Sequence, residues 1–222
     1  MLVIGHRGAA GLAPENTFSS LYAAEDTGVQ MVEVDLRMTK DGQIVLMHDP
    51  TLTRTHDDRR KVEDLTLEEI NRIGERENRE IPELGKFLQA VKMPINLELK
   101  VGGMEATVLS IIKNFPHKVL ISSHHPTVLK KVRALDEKIP LGFIIGQKMG
   151  YMFSIMMLIA KQLDLYSIHP YHTLVNPSHM KTMRAMNVKV YPWTVNNPHE
   201  FLILKGFGID GVFTDYPNII KE

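Results

Sequence analysis

The chain has 222 residues, 44% of them hydrophobic, with 26 basic and 26 acidic side chains and no cysteine. That length and apolar content suit one fairly large domain with a substantial core, read here as 1–222. Zero net charge argues against a nucleic-acid binder working through bulk positive charge, and the missing cysteine excludes disulfides, zinc–thiolate centres and cysteine nucleophiles, which fits a reducing, cytoplasmic setting.

Met1-Leu2-Val3-Ile4-Gly5-His6 enters a strand-like run at once, without the basic and long apolar regions of a signal peptide. Leu2–His6 is the first predicted strand. Asn16 or Thr17 can cap a helix carrying Phe18, Leu21 and Tyr22, which Gly28 stops. Met31–Arg37 is the second strand. Lys40-Asp41-Gly42 then reads as a hairpin turn, because Asp-Gly favours positive φ, and Ile44–His48 returns as an extra strand.

From Pro50 to Glu80 the pattern changes. Charge is dense in Asp57-Asp58-Arg59-Arg60-Lys61, apolar periodicity is weak, and the run reads as a solvated loop. Thr66 with Glu69 forms a capping box for one short helix. This segment is read as an insertion.

Alternation resumes at Pro82. Helical spacing in Leu84, Phe87, Leu88 and Val91 precedes a strand at Ile95–Leu99; Val108, Ile111, Ile112 and Phe115 precede one at Val119–Ser122. A helix with Val128, Val132 and Leu135 leads to Leu141–Ile145. An apolar run from Tyr151 to Ala160, rich in methionine, follows; it is too short to span a bilayer, which needs about 20 residues. Leu165–His169 and Val188–Thr194 are strands, with Asn176-Pro177 and Asn197-Pro198 opening the helices after them, and Gly211–Thr214 is the last strand. Setting the hairpin return aside, eight strands alternate with helices. That predicts right-handed parallel crossovers closing into a (β/α)8 barrel, in class α/β, with a short insertion after the second strand. A doubly wound sheet is disfavoured, since no Gly-rich dinucleotide fingerprint follows the first strand.

In such a barrel the site forms at the C-terminal ends of the strands. Residues two apart on a strand share a face, so Glu33, Asp35 and Arg37 lie together opposite Val32, Val34 and Leu36. Adjacent carboxylates repel unless something positive lies between them; the plain alternative is a solvent-facing strand. Glu98 and Lys100 share a face on the next strand and can pair internally, or Glu98 can join Glu33 and Asp35 as a hard, all-oxygen ligand set for Mg²⁺ or Ca²⁺. Arg7 and Lys100 are strong anion ligands, and His6 and His48 can exchange protons near neutral pH. Trp193 either packs in the core or stacks on a ligand. Together these groups describe phosphoryl chemistry.

His6-Arg7-Gly8, Pro14-Glu15-Asn16-Thr17, Glu33-Val34-Asp35, Thr39-Lys40-Asp41-Gly42 and His48-Asp49 closely resemble the glycerophosphodiester phosphodiesterases. Glu98-Leu99-Lys100, Trp193-Thr194-Val195-Asn196 and Asp210 to Pro217 extend the match over nearly the whole chain in order. The resemblance implies hydrolysis of glycerophosphodiesters, such as glycerophosphocholine, to sn-glycerol 3-phosphate and an alcohol, assisted by a divalent cation. It implies Glu33, Asp35 and Glu98 as metal ligands, His6 and His48 as the acid–base pair, Arg7 and Lys100 as phosphate ligands, and Trp193 as a substrate contact. It further implies attack on phosphorus by the substrate's own 2-hydroxyl, giving a cyclic phosphate that water opens. The expected partner is a small molecule, with neither nucleic acid nor stable membrane insertion.

The chain departs from the family pattern in two places. Many relatives carry Ser-Phe at the end of strand four, where this chain has Ser123-His124-His125, so His124 either reaches substrate or lies on the surface. The insertion holds no aromatic cluster to grip a headgroup. A Met-rich helix from Met152 to Met157, if it faced the site mouth, would suit a lysophospholipid; otherwise it packs in the core. The other readings are a lysophospholipase D-like or cyclising enzyme and a non-catalytic barrel that only binds phosphodiesters.

Overall fold

Val32, Val34 and Leu36 are fully buried on one face of the second strand, and Met31, Glu33 and Asp35 are buried on the other. A strand covered on both faces belongs to a parallel sheet wrapped by helices. The computed structural model describes residues 1–148 and 153–220. Its sheet comprises β1 (Leu2–Gly5), β2 (Met31–Met38), β3 (Ile44–Leu46), β4 (Ile95–Leu99), β5 (Val119–Ser123), β6 (Leu141–Ile145), β7 (Ser167–Pro170), β8 (Lys189–Val190) and β9 (Gly211–Thr214). The neighbours run β8-β7-β6-β5-β4-β2-β1-β9, all parallel, and β3 pairs antiparallel with β2. Main-chain hydrogen bonds cross the remaining seam, from Phe213 N to Pro192 O at 2.9 Å and from Val195 N to Phe213 O at 2.9 Å. The result is the predicted eight-stranded barrel.

The helices between strands follow the predicted signals. Thr17 caps α1 (Phe18–Thr27) through a capping box with Ser20, and Gly28 ends it at φ 76°. Next come α2 (Thr53–His56), α3 (Leu67–Arg76), α4 (Leu84–Ala90), α5 (Glu105–Ile112), α6 (Pro126–Leu135), α7 (Phe153–Lys161), α8 (Pro177–Ala185) and α9 (Pro198–Gly206). Asn176 and Asn197 cap α8 and α9 ahead of their first-turn prolines. Of the Met-rich run, Met156 and Met157 are buried in the core, whereas Tyr151 and Met152 lie outside the described residues. Among the described residues no helix is long and apolar enough to cross a membrane.

Outward strand residues such as Val34 and Leu97 join Leu21, Ala24 and Phe87 of the helices in the main core. Inward residues Ile4, Met31, Leu120, Tyr191 and Phe213 form a separate cluster inside the barrel. Along β2 the inward positions read Met31, Glu33, Asp35. The interior therefore changes from an apolar floor to carboxylates toward the C-terminal rim.

The insertion differs from the predicted loop. Leu52, Val62, Leu65, Ile70, Ile73 and Ile81 bury against Val45 and Met47 as a satellite core. Val62 sits on the 3-10 turn Val62–Asp64 and Ile70 and Ile73 on α3, while Leu52, Leu65 and Ile81 lie outside regular elements, so no single period announces the set. The charge run is mostly exposed as expected, but Asp58 is buried against Arg60, with Nη2–Oδ2 at 2.7 Å.

Candidate active site

Strand register brings the carboxylates together. Glu33 lies beside Asn96 and Asp35 beside Glu98 across the β2–β4 pair, all on inward positions. Glu33, Asp35 and Glu98 are buried, and each offers an oxygen within 4.8 Å of the others. The solvent-facing alternative for this strand is thereby excluded. Lys100 Nζ lies 2.8 Å from Asp35 Oδ1 and 2.5 Å from Glu98 Oε1, so the internal pair exists within the same cluster.

Arg7 follows β1 in the left-handed region, at φ 51°, a conformation that costs a side-chain-bearing residue about 1–2 kcal/mol. It is held there because its N–H donates to Glu33 Oε2 at 2.9 Å and the Gly8 N–H donates to Glu33 O at 3.0 Å. The turn aims the guanidinium at Asp35, with Nε 3.2 Å from Oδ2. Gly8, at φ 83°, has no room for a Cβ, which would meet Ser20 Oγ at 2.4 Å. Asn16 closes the far side of Asp35: its Nδ2 donates to Oδ2 at 2.9 Å, and its Oδ1 accepts the Asp35 N–H at 3.1 Å.

Each histidine carries a carboxylate on the same ring nitrogen. His6 Nδ1 is 2.7 Å from Asp215 Oδ1, and His48 Nδ1 is 2.7 Å from Asp49 Oδ1. A carboxylate accepts, so Nδ1 donates in both, leaving Nε2 free for proton exchange. Asn196 Nδ2 donates to Asp215 Oδ2 at 2.6 Å. The hairpin is pinned by Arg37, whose Nε and Nη2 donate to His48 O at 2.9 and 2.7 Å.

His6, Arg7, Glu33, His48, Glu98, Lys100 and Trp193 line one cavity of about 60 Å³. Asp35 lies beneath it, bound to Arg7 and Lys100. All eight sequence-predicted site residues thus converge. His124 also lines it, 3.8 Å from Glu98 Oε1, which excludes a purely surface position. Trp193 is only partly buried; its Nε1 donates to His169 O at 2.9 Å and its ring meets His124 edge-on. Sequence reasoning gave no site role to Asn96 or His169, which line the cavity, or to Glu15, Asn16, Asp49, Asn196 and Asp215, which hold its residues. The Asp beside His48 and the Asp closing the last strand stood at strand ends and within the motifs that carry the resemblance, the signals available for them.

Burial dominates the electrostatics. It pushes the Glu33 carboxyl well up, reinforced by Asp35 and Glu98, and raises Glu98 against the pull of Lys100. At Asp35 burial acts upward too, but Lys100 and Arg7 overcome it and hold the group ionised. Burial draws His48 below its usual range despite Asp35, and His124 down to about 4 with help from Lys100. Glu33 Oε1 and Asn96 Oδ1 are buried without a hydrogen-bond partner among the described residues. Three clustered carboxylates, one with an orphaned oxygen, and the orphaned amide oxygen of Asn96 beside them form an oxygen-only donor set that fits a hard divalent cation.

The chain matches the model of the glycerophosphoryl diester phosphodiesterase family over residues 6–109 and 104–219. It is 31% identical to a glycerophosphodiester phosphodiesterase of Caldanaerobacter subterraneus subsp. tengcongensis, covering 99% of this chain and 96% of that one. It is 26% identical to a lysophospholipase D of Rattus norvegicus, over 99% and 84% of the two. A phosphodiesterase of Oleispira antarctica, solved in complex with the product sn-glycerol-3-phosphate, superposes with TM-score 0.88 at 29% identity, over 99% of this chain and 95% of that one.

Proposed function

Because the chain belongs to the glycerophosphoryl diester phosphodiesterase family, and so to the phosphoric diester hydrolases, we propose that it cleaves water-soluble glycerophosphodiesters to sn-glycerol 3-phosphate and an alcohol, using a divalent cation, Mg²⁺ or Ca²⁺. The observation that carries this reading is the buried Glu33–Asp35–Glu98 cluster flanked by Arg7, Lys100 and two Asp–His pairs. Glu33, Asp35 and Glu98 hold the cation, which when bound stabilises charge building on the phosphoryl oxygens. Charge balance favours the same assignment. Three carboxylates against Arg7 and Lys100 leave the pocket one charge negative, and a divalent cation turns it one charge positive, matching a phosphodiester monoanion.

In this reading Arg7 and Lys100 grip the phosphate, Arg7 by a planar fork and Lys100 as a point charge. One histidine takes the proton from the glycerol 2-hydroxyl as its oxygen bonds to phosphorus. The other protonates the leaving alkoxide as the old P–O bond breaks. Water then opens the cyclic phosphate, the two histidines exchanging roles. Tethering the nucleophile to phosphorus removes the entropy of bringing it there. Asp215 and Asp49 keep each ring oriented with Nε2 toward the pocket and stabilise the protonated form. Trp193 forms the apolar wall beside the substrate.

The test is release of glycerol 3-phosphate from glycerophosphocholine by purified protein with Mg²⁺ or Ca²⁺, and its loss on chelation. His6→Ala and His48→Ala are expected to lower kcat by about 10²- to 10⁴-fold, with cyclic phosphate accumulating in at least one of them. A 2-deoxy analogue should be a poor substrate; efficient turnover of it would favour direct attack by water. The Rattus norvegicus relative motivates a second substrate class, lysophospholipids. Met156 and Met157 are buried in the core and do not offer their side chains to an acyl chain, so the water-soluble diester is expected to be preferred in direct competition.

A further inference from the structure

Arg54 lies outside the cavity, yet it joins two of the parts that build it. It stands on α2, in the insertion, with a side chain 48% exposed. Its Nη1 and Nη2 donate to Glu15 Oε2 and Oε1 at 2.7 and 2.6 Å, a two-pronged pair. Its Nε donates to Asp49 Oδ2 at 2.6 Å. Each of these carboxylates uses its remaining capacity on a pocket residue. Glu15 Oε1 accepts from Arg7 Nη1 at 3.0 Å, and Asp49 Oδ1 accepts from His48 Nδ1 at 2.7 Å. One planar guanidinium therefore links the cation after β1 to the histidine after β3.

Resting on the function proposed above, we infer that Arg54 is a positioning residue that holds Arg7 and His48 at a fixed separation across the substrate phosphate. Two half-buried carboxylates facing the same gap repel each other, and Arg54 is what lies between them. Without it, Arg7 is the one cation left hydrogen-bonded to Glu15, with Arg79 acting only through its charge, and Glu15 draws the Arg7 guanidinium away from the phosphate. Asp49, left with its bond to His48 and the more distant charge of Arg37, loses the bond that fixes the angle at which it presents to the imidazole. Only the arginine fork satisfies three oxygens on two carboxylates at once; a lysine ammonium is a single point and reaches one of them well. An exposed ion pair adds little to stability, so this arrangement bears on geometry more than on folding. The insertion thereby contributes to the site through one side chain.

The experiment compares wild type with R54Q and R54K. Melting temperatures verify folding, kcat and KM are measured on glycerophosphocholine, and affinity for sn-glycerol 3-phosphate is measured by calorimetry with the cation present. R54Q is expected to lower kcat by about 10- to 100-fold and to weaken product binding several-fold, as loss of groups that orient a site does. R54K recovers part of the binding through Glu15 and little of kcat. A double-mutant cycle with Asp49→Asn should show less than additive loss in kcat, since both changes free the same imidazole. Unchanged kcat and product affinity in a folded R54Q overturns the inference, as does full recovery by R54K. If wild type hydrolyses no glycerophosphodiester, the function proposed above fails, and the calorimetric arm still judges Arg54: equal product affinity in wild type and R54Q refutes its positioning role.

Discussion

Glu33 carries a large electrostatic penalty in the pocket. It is buried beside two other carboxylates, its Oε1 has no hydrogen-bond partner among the described residues, and its carboxyl is pushed well up by burial. A group with that penalty is a candidate for ligand binding rather than for stabilising the fold. Glu33→Gln is therefore expected to leave the metal-free protein at least as stable as wild type. Divalent-cation affinity should fall by at least about tenfold, read by calorimetry, and activity with it. A variant that melts lower and binds the cation equally well would show that Glu33 serves the fold instead. At the same scale, each of these histidines carries a carboxylate, 209 residues away in one case and adjacent in the other: Asp215 for His6, Asp49 for His48.

At the scale of elements, three short pieces aim the chemistry. The Asp41-Gly42 hairpin turns β2 back so that His48 faces the carboxylates of the strand it left, with Gly42 at φ 80°. The Asn16–Thr17 junction serves twice, Asn16 bracing Asp35 and Thr17 starting α1. The His6-Arg7-Gly8 turn bends sharply because α1 packs directly on it. Gly8→Ala forces a Cβ against Ser20 at a positive φ, so destabilisation of about 3 kcal/mol is expected in denaturant titrations, through overpacking and backbone strain together. Arg7 moves with that turn, so cation-loaded Gly8→Ala should also bind sn-glycerol 3-phosphate more weakly. Wild-type stability in this variant would mean that α1 can shift to accept the methyl group.

At the scale of the whole molecule, pH couples stability to cation binding. Glu33 and Glu98 have raised values in the folded protein, so their favourable contribution is complete below about pH 4.3, the ordinary glutamate value, and is lost as pH rises through the folded values. Asp49 and Asp215 are shifted down: burial opposes, but His48 and His6 pull them below the usual range. Their contribution is present above about pH 3.9 and is lost as pH falls. A cation held as proposed by these carboxylates would bind only the ionised cluster and so compete with protons. The rise in melting temperature on adding Mg²⁺ or Ca²⁺ is expected to grow from about pH 5 to about pH 8. A rise independent of pH would place the cation elsewhere than on these carboxylates.

Periodicity and turn chemistry by themselves determined the order of strands and helices, because apolar residues recur along the parallel strands and α1, α3, α8 and α9 open on caps that read locally. They also determined that polar residues gather at strand ends, and the ordered motifs pointed to the family. The satellite core of the insertion was illegible, since its six apolar residues from Leu52 to Ile81 are scattered over a 3-10 turn, one helix and the connections between elements, which share no period. The pairings that make the site work were illegible for another reason. Whether Glu33 faces water or a cluster depends on which strand lies beside β2, and whether Asp215 meets His6 depends on the barrel closing β9 onto β1. Arg54 reads in the sequence as one more charge in a polar run. Only the fold sets its guanidinium between Glu15 and Asp49, because contact between residues far apart along the chain is a property of the packed molecule.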